Sequence, residues 1–126
     1  MAFHNQLGSA GETAATEFLI KQGMTIRETN WRLNHLEIDI VAQSADRVLH
    51  IVEVKTRTSA AHFDPMRAIT RQKMRNLVNA ANGYVNYCRL QMPVQYDVII
   101  LIGTTPDNFK LEYYPNAFYP PLRTYR

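Results

Sequence analysis

The chain holds a single cysteine, Cys88, among its 126 residues. One thiol makes an intramolecular disulfide impossible and excludes a Cys-rich zinc site, and a reducing cytoplasm is the compartment it suits best. Long apolar runs are missing as well. The longest, Val98 to Ile102, falls far short of the roughly 20 residues that cross a bilayer, so no membrane partner is expected. The N-terminal stretch lacks a basic segment followed by an apolar block and does not read as a signal peptide. No repeat, low-complexity tract or linker divides the sequence.

What remains is ordinary globular composition: 46% hydrophobic and 20% charged, too apolar for a disordered chain. A single domain of this length buries roughly 65–70% of its unfolded surface, enough to fold without staples. The formal charge is +3, and ten of the fourteen basic residues are arginine. Arginine reads phosphate with a planar, bidentate fork, which leans towards a polyanion partner. A charge of three alone decides nothing, since many small proteins carry as much.

Apolar positions Leu7, Ala10, Ala14, Phe18 and Leu19 follow helical spacing between Gln6 and Gln22. Asn5 or Ser9 offers a start signal and Gly23 a stop. Three β-rich runs follow: Thr25 to Trp31, Leu36 to Ala42 (LEIDIVA) and Val48 to Lys55 (VLHIVEVK). Their short connections favour an antiparallel meander. Asp64-Pro65 predicts the start of a second helix with the stripe Ile69, Met74, Leu77, Val78, Ala81 and Val85, ending near Cys88. Gln95 to Ile102 reads as a strand buried on both faces, and Lys110 to Tyr114 as a short edge strand. From Pro115 onward the chain reads as irregular. The expected architecture is an α/β fold, αβββαβ plus an extra edge strand, with a central mixed sheet flanked by helices.

The informative residues are acidic ones in apolar strands. Asp39 lies between Ile38 and Ile40, and Glu53 between Val52 and Val54. Ionised carboxylates in such places cost several kcal/mol unless compensated. A period of two puts Glu37 and Asp39 on one face of their strand, and Glu53 and Lys55 on one face of the next. If those strands pair across the turn, Asp39, Glu53 and Lys55 converge. Two carboxylates and a lysine suit Mg²⁺-assisted phosphodiester hydrolysis: the carboxylates ligate a hard cation, and the lysine positions water and neutralises charge. The competing reading is a cross-strand ion pair on a solvated sheet face. Asp97, within another apolar strand, reads as structural, paired with a lysine or arginine of a neighbouring element. His50 falls on the face opposite Glu53 and reads as a packed core histidine. His35, alone in a loop, reads as solvated.

These stretches carry a resemblance. GSAGE (Gly8 to Glu12), NWR (Asn30 to Arg32), EIDIVA (Glu37 to Ala42) and VEVKTR (Val52 to Arg57) resemble the YraN-like family of small bacterial proteins. AITRQK (Ala68 to Lys73), YDVI (Tyr96 to Ile99) and NAF (Asn116 to Phe118) extend the match. It thus covers 1–118 as a single nuclease-like domain and leaves 119–126 as an irregular tail. The resemblance implies membership of the PD-(D/E)xK nuclease superfamily, a restriction-endonuclease-like fold close to archaeal Holliday-junction resolvases.

By that resemblance Asp39 is the metal-binding aspartate, Glu53 and Lys55 form the E-x-K pair, and Glu12 completes the metal site. For Glu12 the competing reading is a capping box with Ser9, which has S-x-x-E spacing. Glu37 has a weaker claim, as a neighbour of the site or as partner of an arginine. Lys73 corresponds to a basic position on the second core helix, either contacting phosphate or simply solvated. Arg32 and Arg57 flank the acidic cluster as phosphate clamps or as surface ion pairs. The sequence departs from the pattern at Leu36, where the family has glycine, at His50, where it has an aromatic residue, and at Gln95, where it has a basic one.

The expected function is therefore DNA hydrolysis with Mg²⁺ or Mn²⁺ held by Asp39, Glu53 and Glu12, the Val54 carbonyl being a further oxygen donor. Lys55 activates water, and Lys73, Arg32 and Arg57 hold the backbone. Branched DNA is suggested by the resemblance to junction resolvases, and cutting both strands of a junction requires a dimer that no sequence feature shows. The alternative is a non-catalytic nucleic-acid-binding or scaffolding module on the same fold, and nothing in the residues separates DNA from RNA. Tyr113, Tyr114, Phe118, Tyr119 and Tyr125 offer either base stacking or edge packing.

Overall fold

In a computed structural model, which describes residues 3–59 and 69–120, the order of elements is α1 (Phe3–Lys21), β1 (Thr25–Leu33), β2 (Leu36–Gln43), β3 (Leu49–Arg57), α2 (Arg71–Cys88), β4 (Val94–Ile102) and β5 (Lys110–Phe118). The five strands form one sheet in the order β1-β2-β3-β4-β5. β3 and β4 run parallel, joined by the crossover through α2, and the other pairs are antiparallel. This is a mixed-sheet α/β architecture consistent with a restriction-endonuclease-like core, and the expected meander of β1 to β3 is present. No helix among the described residues is long and apolar enough to cross a membrane.

Adjacent residues of the central strands alternate between two cores. Ile51, Val98 and Ile100 pack with Leu77, Ala80, Ala81 and Tyr84 of α2. Val52, Ile99 and Leu101 pack with Ala15 and Leu19 of α1. β4 is buried on both sides because helices cover both faces.

α1 begins at Phe3, earlier than either start signal suggested, so Ser9 and Glu12 lie inside it. A capping box between them is therefore ruled out, because their backbone groups sit mid-helix. Its end matches expectation: Gly23 takes φ +91°, and the Met24 N–H donates to the Leu19 carbonyl at 3.1 Å. Gly11 faces β3 so closely that a Cβ there would lie 2.4 Å from Thr56 Oγ1. The absence of a side chain lets α1 settle directly on β3 and brings its neighbour, Glu12, to the sheet.

The second helix starts later than predicted. Thr70 is its N-cap, accepting from the Lys73 N–H at 3.1 Å, and Ile69 precedes the helix. Asp64 and Pro65 lie outside the described residues. At the other end of the chain, β5 continues through Pro115 to Phe118, where irregular backbone was expected. Proline is tolerated on an edge strand, and a register shift between Tyr96 and Val98 accommodates it.

Candidate active site

The β2–β3 ladder stops at the pair Ile40↔Val52. Beyond it the next donor on β3, the Val54 N–H, is taken by Asp39 Oδ2 at 2.8 Å. The carboxylate replaces a strand partner at the point where the two strands part. Opposite, on β1, Asn30 has φ +51° between the pairs Thr29↔Ile40 and Trp31↔Ile38. Asparagine is among the few residues that accept this left-handed backbone. The alternation of β2 breaks here: Ile38 packs against the α2 side and Ile40 against the α1 side, although they are two residues apart. The period of two that paired Glu37 with Asp39 does not hold across this point.

Glu53 is 3% exposed and faces α2. Its Oε2 lies 3.3 Å from Lys55 Nζ and 3.5 Å from Lys73 Nζ. Its Oε1 is buried and has no hydrogen-bond partner among the described atoms. Burial raises the Asp39 carboxyl to about 7, and the charges of Glu53 and Glu12 push the same way, against the Val54 N–H and the charge of Lys73. Glu12 is also raised, chiefly by burial, while a hydrogen bond from the Asn30 side chain opposes the shift. The charges of Glu37 and Glu53 push it further up.

Asp39, Glu53, Lys55 and Lys73 thus share one site, with Glu12 near enough for its charge to be felt. Arg32 does not join them; its side chain is 71% exposed and lies 3.6 Å from Glu37. Arg57 is half-buried at the end of β3 and donates to the Thr56 carbonyl at 3.0 Å. Sequence reasoning missed Asn30 as a partner of Glu12. Its signal was an asparagine inside a β-rich run, a residue type that marks irregular backbone.

Among the described residues no three acidic, histidine or cysteine side chains stand close enough to hold one ion together. The donors nonetheless fit a hard divalent cation, which takes one or two carboxylates and completes its shell with water and substrate phosphate. Glu53 Oε1 has no partner, and the Asp39 carboxyl is raised by burial and neighbouring acids, so a cation would satisfy the one and relieve the other.

Asp97 corrects an expectation. Its partners are neither lysine nor arginine: it accepts from His50 Nδ1 (2.7 Å), Tyr113 OH (2.7 Å), Gln95 Nε2 (2.9 Å) and the Asn116 N–H (3.0 Å). Burial pushes its carboxyl up, but these four bonds outweigh burial and hold it below the usual range. His50 is buried, as expected, but as a hydrogen-bonded link whose Nε2 meets Ser44 Oγ at 3.0 Å. Ser44, His50 and Asp97 thus line up in the order of an acyl-transfer triad. The hydroxyl is not free for attack, however, because it also faces Asp46 Oδ1 and the Val48 carbonyl. The network ties β3, β4 and β5 together at the end of the sheet away from Lys55.

Residues 11–101 match the family described as "Uncharacterised protein family UPF0102". A UPF0102 protein of Bacteroides fragilis is 46% identical over 122 residues, covering 97% of this chain and 99% of the relative. One of Bacteroides thetaiotaomicron is 43% identical with the same coverage, and one of Flavobacterium psychrophilum is 42% identical over 94% of this chain and 98% of its own. With the family match spanning most of the chain and these relatives aligned nearly end to end, the chain belongs to the UPF0102 family, the YraN-like family that its motifs resemble.

Proposed function

We propose that this protein is a metal-dependent nuclease that hydrolyses DNA phosphodiester bonds. The observation that carries the reading is Glu53: a carboxylate 3% exposed, one oxygen shared by two lysines and the other unpaired, beside a raised Asp39. A purely structural ion pair gains nothing from a second buried acid at its flank, and that acid costs several kcal/mol. A site that receives a cation and a phosphate does gain from it.

Asp39 and Glu53 would hold Mg²⁺ or Mn²⁺, with Glu12 adding charge from α1. The ion supplies Lewis-acid stabilisation of the phosphoryl oxygens and acidifies bound water. Lys55, with Nζ 3.3 Å from Glu53, donates hydrogen bonds to the attacking water and to the charge that develops on the phosphate. Lys73, on the first turn of α2, faces the same carboxylate and meets the substrate backbone. The water oxygen bonds to phosphorus and gives its proton to solvent, while the bond to the leaving sugar oxygen breaks and that oxygen takes a proton from solvent. Arg32 and Arg57 flank this site as backbone contacts. A branched junction is the form of DNA to test first, given the resemblance to junction resolvases.

The test is incubation with a labelled four-way junction and a matched linear duplex, in Mg²⁺, Mn²⁺ or EDTA, beside an Asp39→Ala variant prepared identically. Cleavage that needs metal and disappears in the variant is the expected result. Equal products from both proteins, or none from either, would refute hydrolysis of these DNAs and favour a non-catalytic nucleic-acid-binding module.

A further inference from the structure

Of the described aromatic residues at the C-terminal end, Tyr119 alone is exposed, and the others are half-buried or buried and engaged within the domain. Tyr113 donates to Asp97, Tyr114 donates to Glu112 at 2.8 Å, and Phe118 stacks on Tyr96 with ring centroids 4.9 Å apart. Tyr119 is 76% exposed. It stands across a groove of about 360 Å³ from Arg71, Met74 and Arg75 on the first turns of α2. The two arginines are one helical turn apart and so share a face. α2 contains no acidic residue, and the described residues give Arg71 and Arg75 no acidic partner. Arg75 is oriented instead by Gln72 Oε1, to which it donates at 2.9 Å.

The groove also has a fixed place relative to the carboxylate site. Lys73, between the two arginines in sequence, turns the other way and meets Glu53. Glu53 is level with Val98, Val98 with Tyr114, and Tyr96 with Phe118. Tyr119 therefore lies two strands across and about three residues along from Glu53, a diagonal of about 14 Å at ordinary strand spacing.

We propose that Arg71, Arg75 and Tyr119 form a subsite for an unpaired stretch of DNA about 14 Å from the carboxylate site, the guanidinium groups on phosphates and the Tyr119 ring under a base. The inference rests on the nuclease reading for its substrate. Bases inside a duplex have both faces covered by their neighbours while those of a single strand can open a face to the ring, so the subsite selects substrates with a single-stranded arm over duplex. Planar arginine forks on phosphate and an aromatic face at its flank are the two elements that single-strand recognition needs.

The test is fluorescence anisotropy in EDTA, where nothing is cut, with a blunt duplex and the same duplex carrying an unpaired arm. Wild type should prefer the armed probe. Tyr119→Ala should weaken that binding about 5- to 150-fold, the range for loss of one base–ring stack, and Tyr119→Phe should restore it. The double variant Arg71→Ala/Arg75→Ala should flatten the slope of log affinity against log salt by about 1.4–1.8, two phosphate contacts' worth. Equal affinity of wild type for both probes, or variants indistinguishable from wild type, would overturn the subsite. A protein that shows this binding pattern but cuts nothing in Mg²⁺ or Mn²⁺ would retain the subsite and refute hydrolysis. Metal-dependent cutting untouched by the Tyr119 and arginine variants would do the reverse.

Discussion

Asp39→Asn should make the metal-free protein more stable while abolishing the proposed nuclease activity. Burial and two neighbouring acids hold the Asp39 carboxyl at about 7, against an ordinary 3.8. A raised acid penalises the folded state when ionised. The penalty is complete above about pH 7, shrinks as pH falls, and is absent below about pH 4, where both states are protonated. The displacement corresponds to about 4 kcal/mol as an upper bound, since each pH unit is worth about 1.4 kcal/mol and the site relaxes in part. Asparagine keeps an oxygen for the Val54 N–H and removes the charge that burial, Glu53 and Glu12 oppose. We expect the variant to gain about 2–4 kcal/mol at pH 8.5 in urea unfolding and nothing at pH 4. Millimolar Mg²⁺ should narrow the gap at pH 8.5 by stabilising only the wild type, by about 2.7 kcal/mol at a hundredfold excess over Kd. A variant less stable than wild type at pH 8.5, or a gain that does not change with pH, would refute the electrostatic account of the site.

Three other outcomes follow from the geometry. Lys55→Ala or Lys73→Ala should each cost about 1 kcal/mol, because the other lysine still holds Glu53. The double variant should cost about 3–5 kcal/mol by leaving that charge unpaired, a non-additivity readable in denaturant midpoints. Asp97→Asn should destabilise by about 2–4 kcal/mol at pH 7. Because Asp97 is held below its ordinary value of 3.8, that difference should persist above about pH 4 and vanish as pH falls through the depressed value, visible in melts from pH 7 to 3. Gly11→Ala should destabilise by about 1–3 kcal/mol, since the new methyl meets Thr56 Oγ1. In a Thr56→Ala background, where the nearest described neighbour stands 3.7 Å away, the same change should stabilise by up to about 1 kcal/mol through helix propensity.

Features that depend on neighbours along the chain were readable from the sequence alone. The stripe of α2 appears as expected, with Leu77 and Ala81 buried, because helical periodicity is a local property. Glu53 and Lys55 share a face of β3 and make an ion pair, because a period of two holds within one uninterrupted strand. Gly23 ends α1 because only its own dihedral is needed. Capping competed with local alternatives and was misread: Ser9 and Asp64-Pro65 are credible caps, yet α1 runs through Ser9, and Thr70 caps α2.

Features that depend on which strand lies beside which were decided by the tertiary structure. The position of Asp39 over the Val54 N–H exists because the β2–β3 ladder stops at Ile40↔Val52, and no residue of β2 states where its partner leaves. The Asp39 carboxyl is raised first by burial among packed elements, and then by Glu53 on β3 and Glu12 on α1, fourteen and twenty-seven residues away. Asp97 read as needing a cation, and the fold gave it hydrogen bonds from β3, β4 and β5 instead. Sequence announces that a carboxylate in an apolar strand must be compensated, because desolvation is a property of the residue and its flanks. Which group compensates it is a matter of distance between chain segments, and only packing sets that distance.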